Sequence, residues 1–166
     1  MILNDKYLHD LLDYVVNPSD INMVQPASID LRLGTELKNL DGETYNLSQK
    51  QYILEPDEFI LGSTYETIHI PSYLVGIVNG KSSIGRLGVM IHVTAGYIDP
   101  GFHGNITLEI KNVGNKPFRL NYQMCICQLI LESLRGKAIR PYGHPDNHNH
   151  YQNSKGTKRS WIKNGL

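Results

Sequence analysis

A mainly β chain with one short N-terminal helix is the fold class the sequence predicts, and three observations carry it. Helical spacing of apolar residues occurs once, near the N-terminus. Period-two alternation then recurs in six short apolar runs. Pro, Gly, Asn or Asp turns separate those runs, which is the pattern of an antiparallel sandwich or barrel. At 166 residues the chain is long enough for one domain with a core of its own.

The helix comes first. "NDKYLHDLLDYV" sets Leu8, Leu11, Leu12 and Val15 on one helical face behind Asn4, a fitting N-cap, and Asn17-Pro18 ends it. The strands follow as "SIDLRLG", "EFILGSTYETIHI", "LVGIVNG", "GVMIHVTAG", "NITLEIKN" and "MCICQLILESL". No internal repeat stands out. Cys125 and Cys127 lie two apart in the last run, on one face and too close for an easy bridge, and read as reduced core thiols. From Gly143 the composition changes to "GHPDNHNHYQNSKGTKRSW", poor in aliphatics. Residues 1–142 are therefore expected to form the β domain. Residues 143–166 are expected to be a flexible tail, ordered by a partner or ligand.

Charge and cysteine usage exclude several functions. Sixteen basic residues balance sixteen acidic ones, so neither a broad nucleic-acid surface nor a membrane surface is expected, and any anion site must be local. "MILNDKYLHDLL" has no long apolar region of the kind a signal peptide or membrane span needs, and a cytoplasmic location is expected.

Three stretches bear chemistry. "GKSSIGRLG", residues 80–88, offers Lys81, Ser82, Ser83 and Arg86 as donors among glycines and holds no carboxylate. That suits an anionic polyphosphate or a solvated loop, although the order of a P-loop is absent. In "NITLEIKN" the alternation puts Ile106, Leu108 and Ile110 on one face and Thr107, Glu109 and Lys111 on the other. Glu109 is then either a solvent-facing acid paired with a cation such as Lys111 or a functional carboxylate. Asp99, at the sharp Asp99-Pro100-Gly101 turn, is either a turn cap or a second site carboxylate. His144, His148 and His150 lie in a polar tail where such spacing is more often incidental than metal-binding.

"QPASIDLRLG" at 25–34, "GKSSIGRLG", "HVTAGYIDPGFHGNITLEIKN" at 92–112 and "CQLILESL" at 127–134 resemble, in order and spacing, the dCTP deaminases of the dUTPase-like superfamily. The resemblance spans nearly the whole chain. It implies a distorted β-barrel or jelly-roll-like fold and a homotrimer whose active sites are shared between subunits. It also implies a deoxycytidine nucleotide substrate carrying Mg²⁺ on its triphosphate, with no zinc.

The dUTPase C-terminal segment R-G-x-x-G-F-G-S-T-G is absent, and the position matching Glu109, usually apolar in dUTPases, is a carboxylate here. The resemblance therefore implies hydrolytic deamination of dCTP to dUTP and ammonia, with Glu109 as general acid/base. Ser82, Arg86 and the Ala95 backbone would surround the reacting water and amine. Lys81, Ser82 and Ser83 would cradle phosphates, and Asp99 would hold the 3'-hydroxyl. Thr94, Phe102, Gln128, Tyr142, His150, Tyr151 and Ser154 complete the expected nucleotide contacts. Zinc deaminases instead show H-x-E followed by P-C-x-x-C, whereas this chain has C-x-C and no H-x-E.

Two departures from the family pattern concern the tail: His150 stands where Lys is usual, and Ser154 where Gln is usual. Gly96, in "TAGYIDPGF", leans towards bifunctional members that also release dUMP and diphosphate. The alternatives are thus a bifunctional deaminase and diphosphatase, a diphosphatase acting on dUTP alone, and a non-catalytic nucleotide-binding regulatory trimer.

Overall fold

The computed structural model describes residues 1–162. Helix α1 (Asp5–Val15) starts where Asn4 caps it, the side chain accepting from the Tyr7 N–H, and buries Leu8, Leu12 and Val15. Thirteen strands follow among the described residues. They begin with β1 (Val16–Asn17), β2 (Val24–Gln25), β3 (Ser28–Arg32), β4 (Glu36–Lys38), β5 (Thr44–Asn46) and β6 (Tyr52–Leu54). The long strands are β7 (Phe59–His69), β8 (Leu74–Gly80), β11 (His103–Asn112) and β13 (Cys125–Ser133). Helix α2 (Ser82–Gly85), β9 (Val89–Ile91) and β10 (Tyr97–Ile98) lie between β8 and β11, and β12 (Phe118–Leu120) precedes β13.

One sheet runs β5-β4-β7-β11-β9, with β1 also on β7; the other runs β10-β8-β13-β3-β2. A small β12-β6 pair stands apart, and among the described residues neither sheet closes into a barrel. All strand pairings among the described residues are antiparallel. Both sheets turn aliphatic residues into one core: Leu37, Ile60, Leu108 and Ile110 from the first, Ile29, Leu31, Val78 and Leu129 from the second. Burial of such side chains contributes about 1.5–3 kcal/mol each. A charged tie also joins the sheets. Arg32 on β3 meets Glu66 on β7 at 2.6 Å, and the Arg32 N–H donates to the same carboxylate at 3.0 Å. Glu66 is only 1% exposed, so removing either partner would leave a buried charge unmatched.

Two expectations need correction. The register of β13 on β3 shifts between Cys125 and Cys127. The extra residue breaks the alternation: Ile126 and Cys127 both enter the core, whereas Cys125 is half-buried beside Met23. The run expected as a strand over 88–96 ends at Ile91, and His92–Gly96 form a loop before β10.

The later residues pack against the domain through hydrogen bonds. Asn105 N–H donates to Ser154 O, Gly156 N–H to Asn105 Oδ1 and Lys158 N–H to Thr107 Oγ1, which lays residues 154–158 along β11. Thr157 is fully buried; its N–H and hydroxyl both go to Glu36, and its carbonyl accepts from Lys38 Nζ. Backbone polarity, satisfied at each step, orders this aliphatic-poor segment.

Candidate active site

Glu109 sits in the middle of β11, with Leu108 and Ile110 fully buried on the opposite face. Its Oε2 accepts from the Thr94 N–H and from Thr94 Oγ1, each at 2.9 Å. The neighbouring Lys111 ammonium is engaged elsewhere, on Asp57. Glu109 therefore stands as a half-buried carboxylate held by two neutral donors, with one oxygen left open to a ligand.

The loop that supplies Thr94 is pinned at both ends. At its start, His92 Nδ1 accepts from the Glu109 N–H at 3.0 Å. Burial lowers the His92 pKa, opposed by the Glu109 charge and the nearby Ala95 backbone. The imidazole is thereby held neutral, with Nδ1 as acceptor. At its end, Val78 N–H donates to Gly96 O at 2.7 Å. A Cβ at Gly96 would lie 2.5 Å from Val78 O, so only glycine permits this approach. His92 was not singled out from the sequence; its role depends on burial and on a contact across strands, for which a lone His at a strand end gives no signal.

Glu109, Ala95, Asp99, Phe102 and Tyr142 line one cavity of about 940 Å³, and His150, Tyr151, Ser154 and Lys158 close its far side. Among the described residues Asp99 makes no side-chain hydrogen bond, so it is not a turn cap and its carboxylate is available to a hydroxyl donor. Phe102 and Tyr142 stack edge-on at 5.7 Å, and Tyr142 Oη accepts from the Tyr151 N–H. The tail positions are otherwise committed. His150 stacks on Trp161, with ring centroids 3.8 Å apart and planes 18° apart. Ser154 is buried and donates its hydroxyl proton to Tyr151 O at 2.6 Å, which leaves no donor for a phosphate.

Lys81, Ser82, Ser83 and Arg86 lie apart from this cavity. Lys81 and Ser82 line a second one of about 260 Å³ together with Gly85, Met90 and Val113, and His92 borders both. Ser82, Ser83 and Arg86 are exposed on or beside α2. Beneath the loop, Lys81 Nζ pairs with Asp30, a buried residue on β3 whose Oδ1 has no partner among the described residues. Gln128 stands level with Asp30 on one side and Asn79 on the other, making a polar row across β3, β13 and β8. The expected site residues thus form two groups on one chain: a carboxylate cavity and a donor loop with a polar floor.

Solved dUTPase-type structures share this fold. A solved 2'-deoxycytidine 5'-triphosphate deaminase from Agrobacterium tumefaciens superposes with a TM-score of 0.69 at 22% identity, over 80% of this chain and 48% of that longer one. A dUTPase of Staphylococcus bacteriophage 80alpha with bound dUPNHPP superposes at 0.51 with 17% identity, over 77% of this chain and 82% of that one. At such identities the likeness speaks for the fold alone.

Sequence narrows the class. Residues 2–134 match the pattern of the dCTP deaminase-like family, and the chain belongs to that family. A relative from Methanosphaera stadtmanae named dCTP deaminase, dUMP-forming, is 41% identical over 98% of this chain and 94% of its own. One of the same name from Methanothermobacter thermautotrophicus is 43% identical over 84% of this chain and 80% of its own. A Halorubrum lacusprofundi relative named dCTP deaminase is 40% identical over 98% and 91%.

Proposed function

We propose that the protein deaminates dCTP and carries the product on to dUMP, releasing ammonia and diphosphate. The observation that carries the deaminase reading is the Glu109 carboxylate, held by Thr94 and facing a cavity that also presents Asp99, Phe102 and Tyr142. The dUMP-forming step is favoured by the names of the relatives that cover almost all of this chain.

Deamination replaces the C4 amine of cytosine by oxygen. Glu109 takes a proton from water as the oxygen adds to C4 and passes it to N3; it then takes the remaining proton from the C4 hydroxyl and gives it to the amine, so that ammonia leaves and C4 becomes a carbonyl. Thr94 orients the carboxylate, and the Ala95 backbone borders the reacting centre. Asp99 accepts from the sugar 3'-hydroxyl, and Phe102 and Tyr142 flank the nucleoside. Diphosphate release then requires a second water at the α-phosphorus and cleavage of its bond to the bridging oxygen.

The phosphates belong with Lys81, Ser82 and Ser83, and Arg86 stabilises charge. Magnesium fits beside them, because the unpartnered, buried Oδ1 of Asp30 is a hard oxygen suited to the ion or its water shell. When bound, the ion would neutralise phosphate charge.

The two groups open into different cavities, and Leu87, Met90 and Val113 are exposed beside the donor loop. Both facts support a homotrimer in which one chain's loop completes a neighbour's carboxylate cavity. No described helix is long and apolar enough to cross a membrane. The test is to incubate the protein with dCTP and magnesium and follow ammonia, dUTP, dUMP and diphosphate separately. Ammonia with dUMP and diphosphate is expected; ammonia with accumulating dUTP would limit the enzyme to deamination, and no ammonia would overturn the reading.

A further inference from the structure

The cavity that holds Glu109 and Asp99 has two carboxylates of its own, so a polyanionic ligand entering it gains from cations on the tail as well as from the donor loop. Residues 148–160 supply His148, His150, Lys158 and Arg159 to its lining. His150 is engaged face to face with Trp161. Arg159 donates to Leu40 O at 2.6 Å and lies over the turn at Gly42, where a Cβ would come within 2.7 Å of its Nη1. His148 is exposed.

Lys158 differs from all three. Its backbone N–H is fixed on Thr107 Oγ1 at 3.0 Å, and it follows the fully buried Thr157. Among the described residues no carboxylate lies within ion-pair distance of its ammonium. The root of the side chain is therefore held while the charged end of a four-carbon stem is free to meet a ligand. Thr107 is two residues from Glu109 on the same face of β11, so the anchor and the acid/base share one rigid strand.

We propose that Lys158 is the tail residue that binds the triphosphate and thereby selects the nucleotide over the nucleoside. The inference rests on the deaminase reading above. The test measures dissociation constants for dCTP, dCMP and deoxycytidine in Glu109→Gln protein, which prevents turnover, alone and combined with Lys158→Met, Lys158→Arg or His150→Gln.

Lys158→Met is expected to weaken dCTP binding by about tenfold or more while deoxycytidine stays within about twofold. Lys158→Arg should restore most of the loss, and His150→Gln should cost less than Lys158→Met. The dependence of dCTP affinity on salt should also flatten in Lys158→Met. Equal weakening of dCTP and deoxycytidine, or no weakening of dCTP, would overturn the assignment. Glu109→Gln protein with intact Lys158 that bound deoxycytidine but showed no preference for dCTP would do the same. Failure of the wild-type protein to bind any cytosine nucleotide would overturn the deaminase reading itself.

Discussion

Glu109 owes its place to a strand whose opposite face is fully buried, and its readiness to the two Thr94 donors. Replacing it by Gln keeps the shape and removes the base. Glu109→Gln is expected to abolish ammonia release and leave dCTP affinity within about tenfold, as checked by turnover and calorimetry; retention of a tenth of wild-type turnover would remove Glu109 from the role. His92 makes a second prediction. Its folded pKa lies below the ordinary value because of burial, so its neutral form stabilises the fold above about pH 6.5. That contribution is lost as pH falls through the lowered pKa, when protonated Nδ1 would face the Glu109 N–H donor. Thermal melts from pH 5 to 8 should show a steeper acid-side loss for wild type than for His92→Asn, whose amide oxygen can accept at any pH. Glu109 and Asp99 were legible in the sequence because period-two alternation and a Pro-Gly turn are local signals. His92 and Asp30 were not, since a neutral imidazole and an unpaired carboxylate oxygen are products of tertiary burial.

Strands and the helix follow their local chemistry closely. Asn4 caps α1, and the β11 alternation holds residue by residue from Ile106 to Ile110. The sequence pattern fails where one residue is inserted or a backbone meets another at close range. The shift at Cys125 cannot be seen from alternation alone, and β9 stops early because the loop after it is drawn onto β8 at Gly96. Gly96→Ala is expected to displace this loop, cost about 1–3 kcal/mol in stability and lower deamination more than dCTP binding, because Thr94 loses its aim. Denaturant melts and a comparison of kcat with Kd would show it. The tail has a different vulnerability. Thr157→Val removes the hydroxyl bond to Glu36 O, and about 1–2 kcal/mol of docking should be lost. Faster hydrogen exchange confined to residues 151–160, with the core unchanged, is the expected readout. Such polar anchoring explains why composition alone suggested a tail with nothing to hold it.

At the scale of the molecule, the division of the expected site between two cavities makes subunit mixing informative. Glu109→Gln and Arg86→Ala proteins should each be inactive alone. Mixed as equal parts into the proposed trimers of 18.8 kDa chains, they should recover about a quarter of wild-type activity, because a quarter of the boundaries pair an intact Glu109 with an intact Arg86. No recovery after verified exchange of chains would place both residues in one chain's site. The seating of the tail bears on timing as well as binding. Residues 150–161 close on themselves through the His150–Trp161 stack and the Trp161 N–H to Tyr151 Oη bond, and they are tied to Glu36, Asn105 and Thr107. A product beneath this segment leaves only after several bonds open together, so release is expected to be slower than the chemistry it follows. Rapid-quench measurements should then show a first-turnover burst of ammonia approaching about one equivalent per chain, and Thr157→Val should raise the steady rate while leaving the burst rate alone.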